Sequence, residues 1–429
     1  MLLLEVMFDK QKFICRFVLG SSFADAVLAQ LLAGLYAAPE TLLNVFLACS
    51  GRLTRHMEPH AAERLGADLG YYSNSARAVQ VLRETGTRAE IQLLEMTDLL
   101  SAITLGLGII TFDLLDSGLH AHSICRFTLG LAERFHTATQ PRARIPDLDS
   151  ALTPLVFMDI CNCIIQRQVP VYRLEMEQQN DKSQAVDRYI GLCGSLLPHL
   201  FDICHLSYQL GRCTNGNTRT ADVVRDLQAI RDAIQCWEPP IPVHFVLGST
   251  FDEVRVVKTQ AEVYRTAALI IIHRLHFGFG IRDEEARQLA STVLEKIDRI
   301  YRHQRSPSNG AEPPFEYRLG LPFLVAAVEL KDGGNRASAL ERLARVVSRK
   351  MYPKVSERLR QGLVSVWEAR DRGYCGHWFD LVSSMPKFVC FENMSDTPVL
   401  GWCIIGRRET VLPPAGRQLA PVSGYFNVQ

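Results

Sequence analysis

Residues 250–277 read TFDEVRVVKTQAEVYRTAALIIIHRLHF and carry a sustained periodic pattern. Apolar residues recur at intervals of four, three, four, three and four from Val257 to Leu275. This spacing is typical of an amphipathic α-helix, in which residues three or four positions apart share one face. The stretch therefore predicts a long helix with a buried face over 250–277.

The same period extends over most of the chain on both sides of this segment. Proline, glycine and polar residues predict loops at 137–150, 214–218, 237–249 and 306–314. Further helices are predicted over 23–36, 41–55, 61–84, 89–115, 120–134, 152–168, 185–212, 221–236, 284–302, 322–331, 335–351 and 355–370. The sequence thus predicts an all-α fold, a multi-helix bundle of antiparallel helical pairs with roughly a dozen helices and an irregular C-terminal tail.

Composition limits the classes of partner. The chain has 429 residues, of which 47% are hydrophobic and 22% charged, with a formal net charge of +1. This near-neutral balance does not favour nucleic acid or an anionic membrane surface. The longest uncharged apolar run, 99–112, is shorter than the ~20 residues needed to span a bilayer. Twelve cysteines lie in apolar segments without a secretory signal before them, which predicts reduced thiols and an intracellular protein.

The segment 188–206, RYIGLCGSLLPHLFDICHL, holds two cysteines and two histidines. On a continuous helix over 185–212, Cys193 and Cys204 share a face but lie ~16 Å apart, too far for one zinc ion. Pro198 would kink such a helix without folding it back. We therefore predict a buried core helix here, with an apolar face formed by Ile190, Cys193, Leu197, Leu200 and Cys204.

His273 and His276 share a face near the end of the helix over 250–277. Their spacing could hold a metal or polarise a ligand, but two histidines at the wet end of a buried helix, with Arg274 outside, are the favoured interpretation. We predict no metal site. Gly191, Gly194 and Pro198 are expected to loosen the packing around the segment 188–206. A regulatory pocket for an effector is therefore predicted beside this segment, lined by Cys193, Leu197, Leu200, Cys204, His273 and His276.

Other candidate motifs do not indicate catalysis. The chain contains no P-loop, GxGxxG, HExxH or GxSxG motif. Cys161 and Cys163 would point ~160° apart on a helix, so they are not a chelating pair. His120 and His122 flank a turn and need no special explanation. We predict that no residue is catalytic.

An all-α chain could still be a metabolic enzyme of the isoprenoid or terpenoid synthase type. Such enzymes need several carboxylates on one helix face to hold magnesium ions. DEEAR at 283–287 lacks a third correctly spaced carboxylate, and NDKSQAVDR at 180–188 has Gln184 and Arg188 where a hydroxyl and an acid are needed. This class is kept as the alternative.

The stretch 319–372 reads LGLPFLVAAVELKDGGNRASALERLARVVSRKMYPKVSERLRQGLVSVWEARDR. Its Leu321-Pro322-Phe323 helix, its turn at 331–334 and its final helix with Trp367 together resemble the fungal-specific transcription factor domain. This domain is the helical regulatory region of fungal zinc binuclear cluster transcription factors. Segments 72–85, 107–118, 188–206 and 258–277 are similar to earlier helices of the family, so the resemblance spans residues 20–392.

The resemblance implies three regions. Residues 1–19 are expected to be an N-terminal segment, 20–392 the regulatory domain, and 393–429 an irregular tail. The family's six-cysteine basic zinc module does not occur in this sequence. Either the gene model has lost its N-terminus or the chain is a stand-alone relative. Zinc is expected only in such a missing cluster, and no cofactor in this chain.

By the same resemblance, the chain is expected to be a non-enzymatic, nuclear regulatory domain. It would control transcription by RNA polymerase II by sensing a ligand or a partner. Expected partners are the transcription machinery or another regulator, a small-molecule effector and a second copy in a homodimer. No sequence-specific DNA binding by this chain alone and no membrane association are expected. A non-DNA-binding adaptor that titrates other regulators is a further alternative.

Overall fold

The computed structural model describes residues 2–10, 13–57, 60, 70–138, 146–174, 186–212, 218–303 and 318–384. These residues form sixteen α-helices and no strand, which confirms the all-α prediction. The predicted tail over 393–429, the predicted loop over 306–314, most of the one over 214–218 and the first part of the predicted helix over 61–84 lie outside the described residues. Met1–Asn393 is one compact unit, and the predicted domain bounds stay a prediction.

The first seven helices form the N-terminal half of the bundle. They are α1 (Leu2–Phe8), α2 (Ala24–Ala37), α3 (Pro39–Met57), α4 (Tyr71–Ile91), α5 (Met96–Asp116), α6 (Ala121–Ala138) and α7 (Pro146–Gln166). Helix α3 packs against α1, α2, α4 and α5, and α5 in turn packs against α6 and α7. The apolar faces of α3 and α5 therefore form the centre of this half.

Nine helices follow in the second half. They are α8 (Leu197–Arg212), α9 (Thr218–Cys236), α10 (Val243–Gly248), α11 (Phe251–His276), α12 (Asp283–His303), α13 (Gly320–Ala327), α14 (Gly333–Val346), α15 (Pro353–Asp371) and α16 (Trp378–Ser384). Helix α11 contacts α8, α9, α10, α12 and α13. Contacts of α7 with α8 and α16 join the two halves.

Helix α11 is the helix predicted over 250–277, and its start has a clear local cause. The Thr250 hydroxyl accepts a hydrogen bond from the Glu253 backbone N–H at 3.2 Å, and Glu253 Oε2 accepts one from the Thr250 N–H at 3.0 Å. This reciprocal capping box satisfies two N–H groups that a helix leaves without partners inside itself. The periodic residues from Val257 to Leu275 are buried.

Two glycines allow helices of the N-terminal half to approach closely. A Cβ atom on Gly108 of α5 would lie 2.7 Å from Val45 Cγ2 of α3. A Cβ atom on Gly106 would lie 2.3 Å from Thr128 Oγ1 of α6. Because real Cβ atoms do not approach other atoms so closely, side chains at these positions would force the three helices apart.

The predicted continuous helix over 185–212 is wrong. Asp187 and Gly191 pair as an isolated bridge, Gly191 has a φ of 62°, and a 3-10 turn covers Gly194–Leu196 before α8 begins at Leu197. Gly191 accommodates the left-handed backbone that this turn needs. Pro198 therefore lies in the first turn of α8, where its missing N–H costs no helical hydrogen bond and no kink arises.

Three other predicted boundaries also need correction. The chain breaks at 92–95, so 89–115 is divided between the end of α4 and all but the last residue of α5. The predicted loop 137–150 contains the start of α7, and 237–249 contains α10. Short helices beside prolines were missed because proline fits the first turn of a helix as well as it fits a loop.

Two helices are long and apolar enough to cross a membrane by length and composition. They cover Met96–Asp116 and Leu148–Gln166, and 56% and 78% of their apolar windows are buried inside the protein. A core helix of a soluble protein meets the same criterion, so this finding is weak evidence for a membrane. Here the apolar faces of both helices pack against other helices of the bundle.

Candidate functional site

Helix α2 is apolar on nearly all sides but is poorly covered. Its sequence is ADAVLAQLLAGLYA, and Ala24 is its only buried residue. Tyr36, near its end, is 85% exposed. A helix that is hydrophobic all round is normally enclosed by protein. Because α2 instead lies over the surface of α3 and the preceding turns, we call it the lid helix.

A cavity of about 160 Å³ lies beneath the lid helix. Most of its lining is apolar, and the described lining residues include two arginines but no aspartate or glutamate. The lining residues are Met7, Phe13, Ile14, Phe17, Val27, Gln30, Leu31, Phe46, Cys49, Thr104, Leu107, Gly108, Ile110, Thr111, Leu114, Ala151, Pro154, Met158, Arg188, Tyr189, Arg318 and Tyr352. An apolar cavity of ~150 Å³ is large enough to bind a molecule the size of benzene.

The polar side chains that α3 and α5 contribute to the base of the cavity are uncharged and already form hydrogen bonds. The hydroxyls of Thr104 and Thr111 donate to the carbonyls four residues earlier in α5, at 2.9 and 2.8 Å. Burial raises the pKa of Cys49 to about 12, so its thiol stays protonated and donates to the Gly108 carbonyl at 3.3 Å. These polar groups are therefore satisfied within the base and do not call for a polar ligand.

The first arginine, Arg188, comes from the turn before α8. The Asp187 carboxylate accepts the backbone N–H groups of Tyr189 and Ile190 at 2.7 and 2.8 Å, which fixes the shape of this turn. From there the Arg188 guanidinium reaches the lid helix and donates to Gln30 Oε1. Burial lowers the pKa of Arg188, and the negative charge of Asp187 opposes that shift.

The second arginine, Arg318, is held by aromatic rings and backbone. Its guanidinium lies 4.6 Å from the ring centroid of Tyr189 and 5.7 Å from that of Phe17, distances typical of cation–π contacts. It also donates to the Arg16 carbonyl at 3.4 Å. The Arg318 carbonyl accepts a hydrogen bond from the buried Tyr264 hydroxyl. The backbone of Arg318 has a φ of 50°, which is unusual for a residue other than glycine.

The six residues predicted to line an effector pocket occupy other parts of the core. Cys193, Leu197, Leu200 and Cys204 are buried, and the Cys204 thiol contacts the Ile160 carbonyl at 3.7 Å. His273 Nε2 lies 3.2 Å from the Arg282 carbonyl and His276 Nδ1 lies 2.9 Å from the Ile272 carbonyl. None of the six is among the residues lining the cavity, so their part in effector binding stays a prediction.

The prediction that Arg274 lies outside is wrong, since it is only 1% exposed. Its Nε and Nη2 atoms donate to both carboxylate oxygens of Glu329 at 2.8 and 2.5 Å, and Nη2 also donates to Asp283 at 2.9 Å. Glu329 is fully buried. We call Arg274, Asp283 and Glu329 the buried charge cluster. It lies where α12, α13 and the segment after α11 enclose the end of α11.

A comparison with protein families places this architecture. The model of the fungal specific transcription factor domain matches residues 18–392. The chain belongs to this family. The match includes the lid helix, the cavity base and the buried charge cluster. It supports a fungal transcription regulator and does not favour the alternative of an isoprenoid enzyme. No curated protein and no solved structure matches the chain.

A second buried polar group in this fungal transcription factor domain was missed from the sequence. The sequence shows His122 only as a residue beside a turn, but in the structure it is fully buried, and its Nε2 lies 2.8 Å from Asp159 Oδ1. Arg126 Nη1 lies 3.2 Å from the same oxygen, and the Val171 N–H donates to Asp159 Oδ2 at 2.7 Å. Burial alone would raise the pKa of Asp159, but the contacts with His122 and Arg126 bring this pKa below its usual value.

His122, Asp159 and Cys163 place three potential metal-ligand atoms within 4.8 Å of one another. However, Arg126 Nη1 lies 3.5 Å from Cys163 Sγ, so a cation already occupies this side of the group. Burial also raises the pKa of Cys163, whereas a metal needs the thiolate. Metal analysis of the dialysed protein is expected to find well under one equivalent of zinc. One tightly bound ion per chain would contradict this.

Proposed function

We propose that this chain is the effector-response domain of a fungal transcription regulator, and that a small molecule with an apolar body binds in the cavity beneath the lid helix. The observation that carries this proposal is the cavity of about 160 Å³ under a helix with one buried residue. Its occupancy would control transcription by RNA polymerase II in the nucleus, through contacts with the transcription machinery or another regulator.

Filling the cavity has a clear energetic consequence. Atoms that border a void lack dispersion contacts on one side, and an apolar ligand restores those contacts. A ligand shifts a conformational equilibrium only by its difference in affinity for the two states. The lid helix has little buried surface of its own, so its position is the part of the domain that occupancy can change at low cost.

The same lining favours binding over catalysis. Cys49 is the one cysteine among the described lining residues, and a thiol with a pKa of about 12 is not a nucleophile at neutral pH. Within the part of the chain that the structure describes, the lining includes no histidine, aspartate or glutamate to act as a general acid or base. We therefore propose that the domain has no enzymatic activity of its own at this site.

A binding experiment tests the site with simple probes. We expect benzene and indole to raise the Tm of the full chain as their concentration increases, because they bind the folded state. Leu31→Trp places a large side chain in the cavity and should abolish this rise. Leu32→Trp is the matched control, because Leu32 lies on the same helix, is also half-buried and does not line the cavity.

A reporter experiment tests the regulatory role. The chain is fused to a heterologous sequence-specific DNA-binding domain, and reporter transcription is measured in yeast with and without a probe that binds in vitro. The response is expected in the unmodified and Leu32→Trp fusions and not in the Leu31→Trp fusion. A response that persists in Leu31→Trp, or the absence of binding by every probe, would overturn the proposal.

We also propose that this chain alone does not recognise a DNA sequence. Its formal net charge is +1, and binding to DNA depends strongly on contacts of lysine and arginine with phosphates. A gel-shift titration at physiological salt should show no preference between unrelated duplexes. Sequence-selective binding below micromolar concentration would contradict this.

A further inference from the structure

Charge is distributed unevenly around the cavity beneath the lid helix. Among the described residues of its lining, Arg188 and Arg318 are the charged ones, and both are cationic. Their positive potential acts in a small space with apolar walls, where electrostatic interactions are stronger than in water. The interior is therefore more favourable for an anionic group than for a neutral or cationic one.

Arg188 is the arginine that offers hydrogen-bond donors to a ligand. A guanidinium has five N–H donors, and the hydrogen bond that the structure gives to this side chain goes to the neutral amide of Gln30. Within the described residues, no carboxylate forms an ion pair with Arg188. The neighbouring Asp187 carboxylate instead accepts backbone N–H groups of its own turn. Among the described residues, the through-space charge of Asp187 is what offsets the burial of this cation, and no carboxylate oxygen is hydrogen-bonded to its guanidinium.

We propose that the effector is a small organic carboxylate whose anionic group binds Arg188 and whose apolar body fills the cavity. This inference rests on the proposed function above and specifies the class of ligand. Guanidinium and carboxylate groups form paired, parallel hydrogen bonds, which arginine makes better than lysine. The cavity volume of about 160 Å³ suits an apolar body of about six non-hydrogen atoms.

The position of Gln30 gives this ligand class a route to regulation. Gln30 lies on the lid helix, whereas Arg188 lies on the turn before α8. A carboxylate bound to Arg188 competes with Gln30 Oε1 for the guanidinium and can accept from the Gln30 amide instead. Binding thus replaces a direct contact between the lid helix and the turn with a contact through the ligand. The lid position then depends on whether the anion is bound.

The test compares benzoate with benzamide, which has the same shape and no charge. Calorimetric titration of the full chain is expected to show benzoate binding at least about tenfold more tightly, as hydrogen bonds to a charged group allow. Arg188→Gln should remove this preference and leave the benzamide affinity nearly unchanged. Arg188→Lys should keep part of the preference, and Gln30→Leu should keep the preference because the cation remains.

Each outcome separates this inference from the proposed function. Equal affinities of the unmodified chain for benzoate and benzamide, both lost in Leu31→Trp, would overturn the carboxylate and leave the cavity as a binding site. A benzoate preference that survives in Arg188→Gln would overturn the assignment to Arg188. If Arg188→Gln does not fold, an equal affinity of Arg188→Lys and Arg188→Ala for benzoate would also overturn the assignment to Arg188. Failure of all charged and neutral probes would overturn the proposed function itself.

Discussion

Two arginines of the domain, Arg274 and Arg188, differ in burial and in the charge of their hydrogen-bond partners. In the buried charge cluster, Arg274 is enclosed and pairs with the carboxylates of Glu329 and Asp283. At the cavity, Arg188 is half-buried and donates to the neutral side chain of Gln30. A buried ion pair with complete partners resists rearrangement, because removing either charge leaves the other uncompensated. The difference separates a region that fixes the fold from a region that can accept a ligand.

Two apolar helices show the same contrast in packing. All residues of α13 from Leu321 to Ala327 are buried, whereas Ala24 is the only buried residue of the lid helix. Both sequences are strongly apolar, so composition alone does not distinguish them. The helix next to the buried charge cluster is enclosed by protein, and the helix above the cavity is not. Helix α13 should therefore contribute more stability per residue than the lid helix.

The largest expected effect comes from the buried charge cluster. Glu329→Ala leaves Arg274 buried without its bidentate partner and should lower the free energy of unfolding by about 3–5 kcal/mol. Glu284→Ala is the control, because Glu284 forms an exposed pair with Arg287 and such pairs contribute about 0–1 kcal/mol. Urea unfolding measures both. Similar losses in the two variants would break the contrast between enclosed and exposed charges.

A second pair of variants compares packed core with lid. Leu197→Ala removes a buried side chain from α8 and should cost about 2–5 kcal/mol in unfolding free energy. Leu31→Ala truncates a half-buried leucine that already borders a void, so less contact is lost and the cost should be at the lower edge of that range or below it. Cys193→Ala should cost much less than Leu197→Ala, because little volume is removed. A larger loss in Leu31→Ala would reverse the comparison.

Acid should weaken the buried charge cluster. Burial alone would raise the pKa of Asp283, but hydrogen bonds from Lys331 and Arg274 lower this pKa to about 2. A folded-state pKa below the unfolded value of ~3.9 stabilises the fold above that value. This stabilisation is lost as the pH falls from about 4 to about 2. Thermal melts should show a shallower acid decline in Asp283→Asn than in the unmodified chain.

Gln30→Leu serves as the control for this pH experiment, because it changes the cavity lining without removing a titratable group. Its Tm should decline between pH 5 and pH 2 in parallel with that of the unmodified chain. If Asp283→Asn also declines in parallel, the ion pairs of Asp283 do not contribute to stability, and the charge cluster is less important than its geometry indicates.

The smallest effect is a difference in the rate at which two cysteines become accessible. Cys49 under the lid helix and Cys193 in the packed core are both fully buried, and burial raises the pKa of both thiols. A thiol reagent should modify exposed Cys236 and Cys375 first. Cys49 should follow at least about tenfold faster than Cys193, because opening the lid costs less than opening the core. Peptide mapping by mass spectrometry measures the rates, and a faster Cys193 would contradict the comparison.

Periodicity predicted most helices well because each has a buried face. The segment predicted over 250–277 is Phe251–His276 in the structure. The method failed before α8, where Ile190 and Cys193 fall at helical intervals but lie in a turn. The positive φ of Gly191 sets that turn, and a count of apolar intervals does not contain this information. Burial of the predicted apolar residues was nevertheless correct, since a tight turn can also face the core.

The candidate site could not be predicted because its parts are distant in sequence. Arg188 and Gln30 are 158 positions apart, and Arg274 and Glu329 are 55 positions apart. Local patterns cannot show which of two arginines will be enclosed with acidic partners. A void is even less visible, since it depends on how several helices fail to fill a volume. The apolar outer face of the lid helix was the available signal, because it lacks the polar face of an ordinary surface helix.

The weak burial of the lid helix also bears on how this domain can be redesigned. Val27, Gln30 and Leu31 contribute one wall of the cavity from a single helix, and substitutions away from a packed core usually cost little stability. A combinatorial library at these three positions could therefore change which compound is detected while the rest of the protein keeps its fold. Coupled to a reporter gene, such variants would serve as biosensors that share one scaffold and differ in the chemical they report.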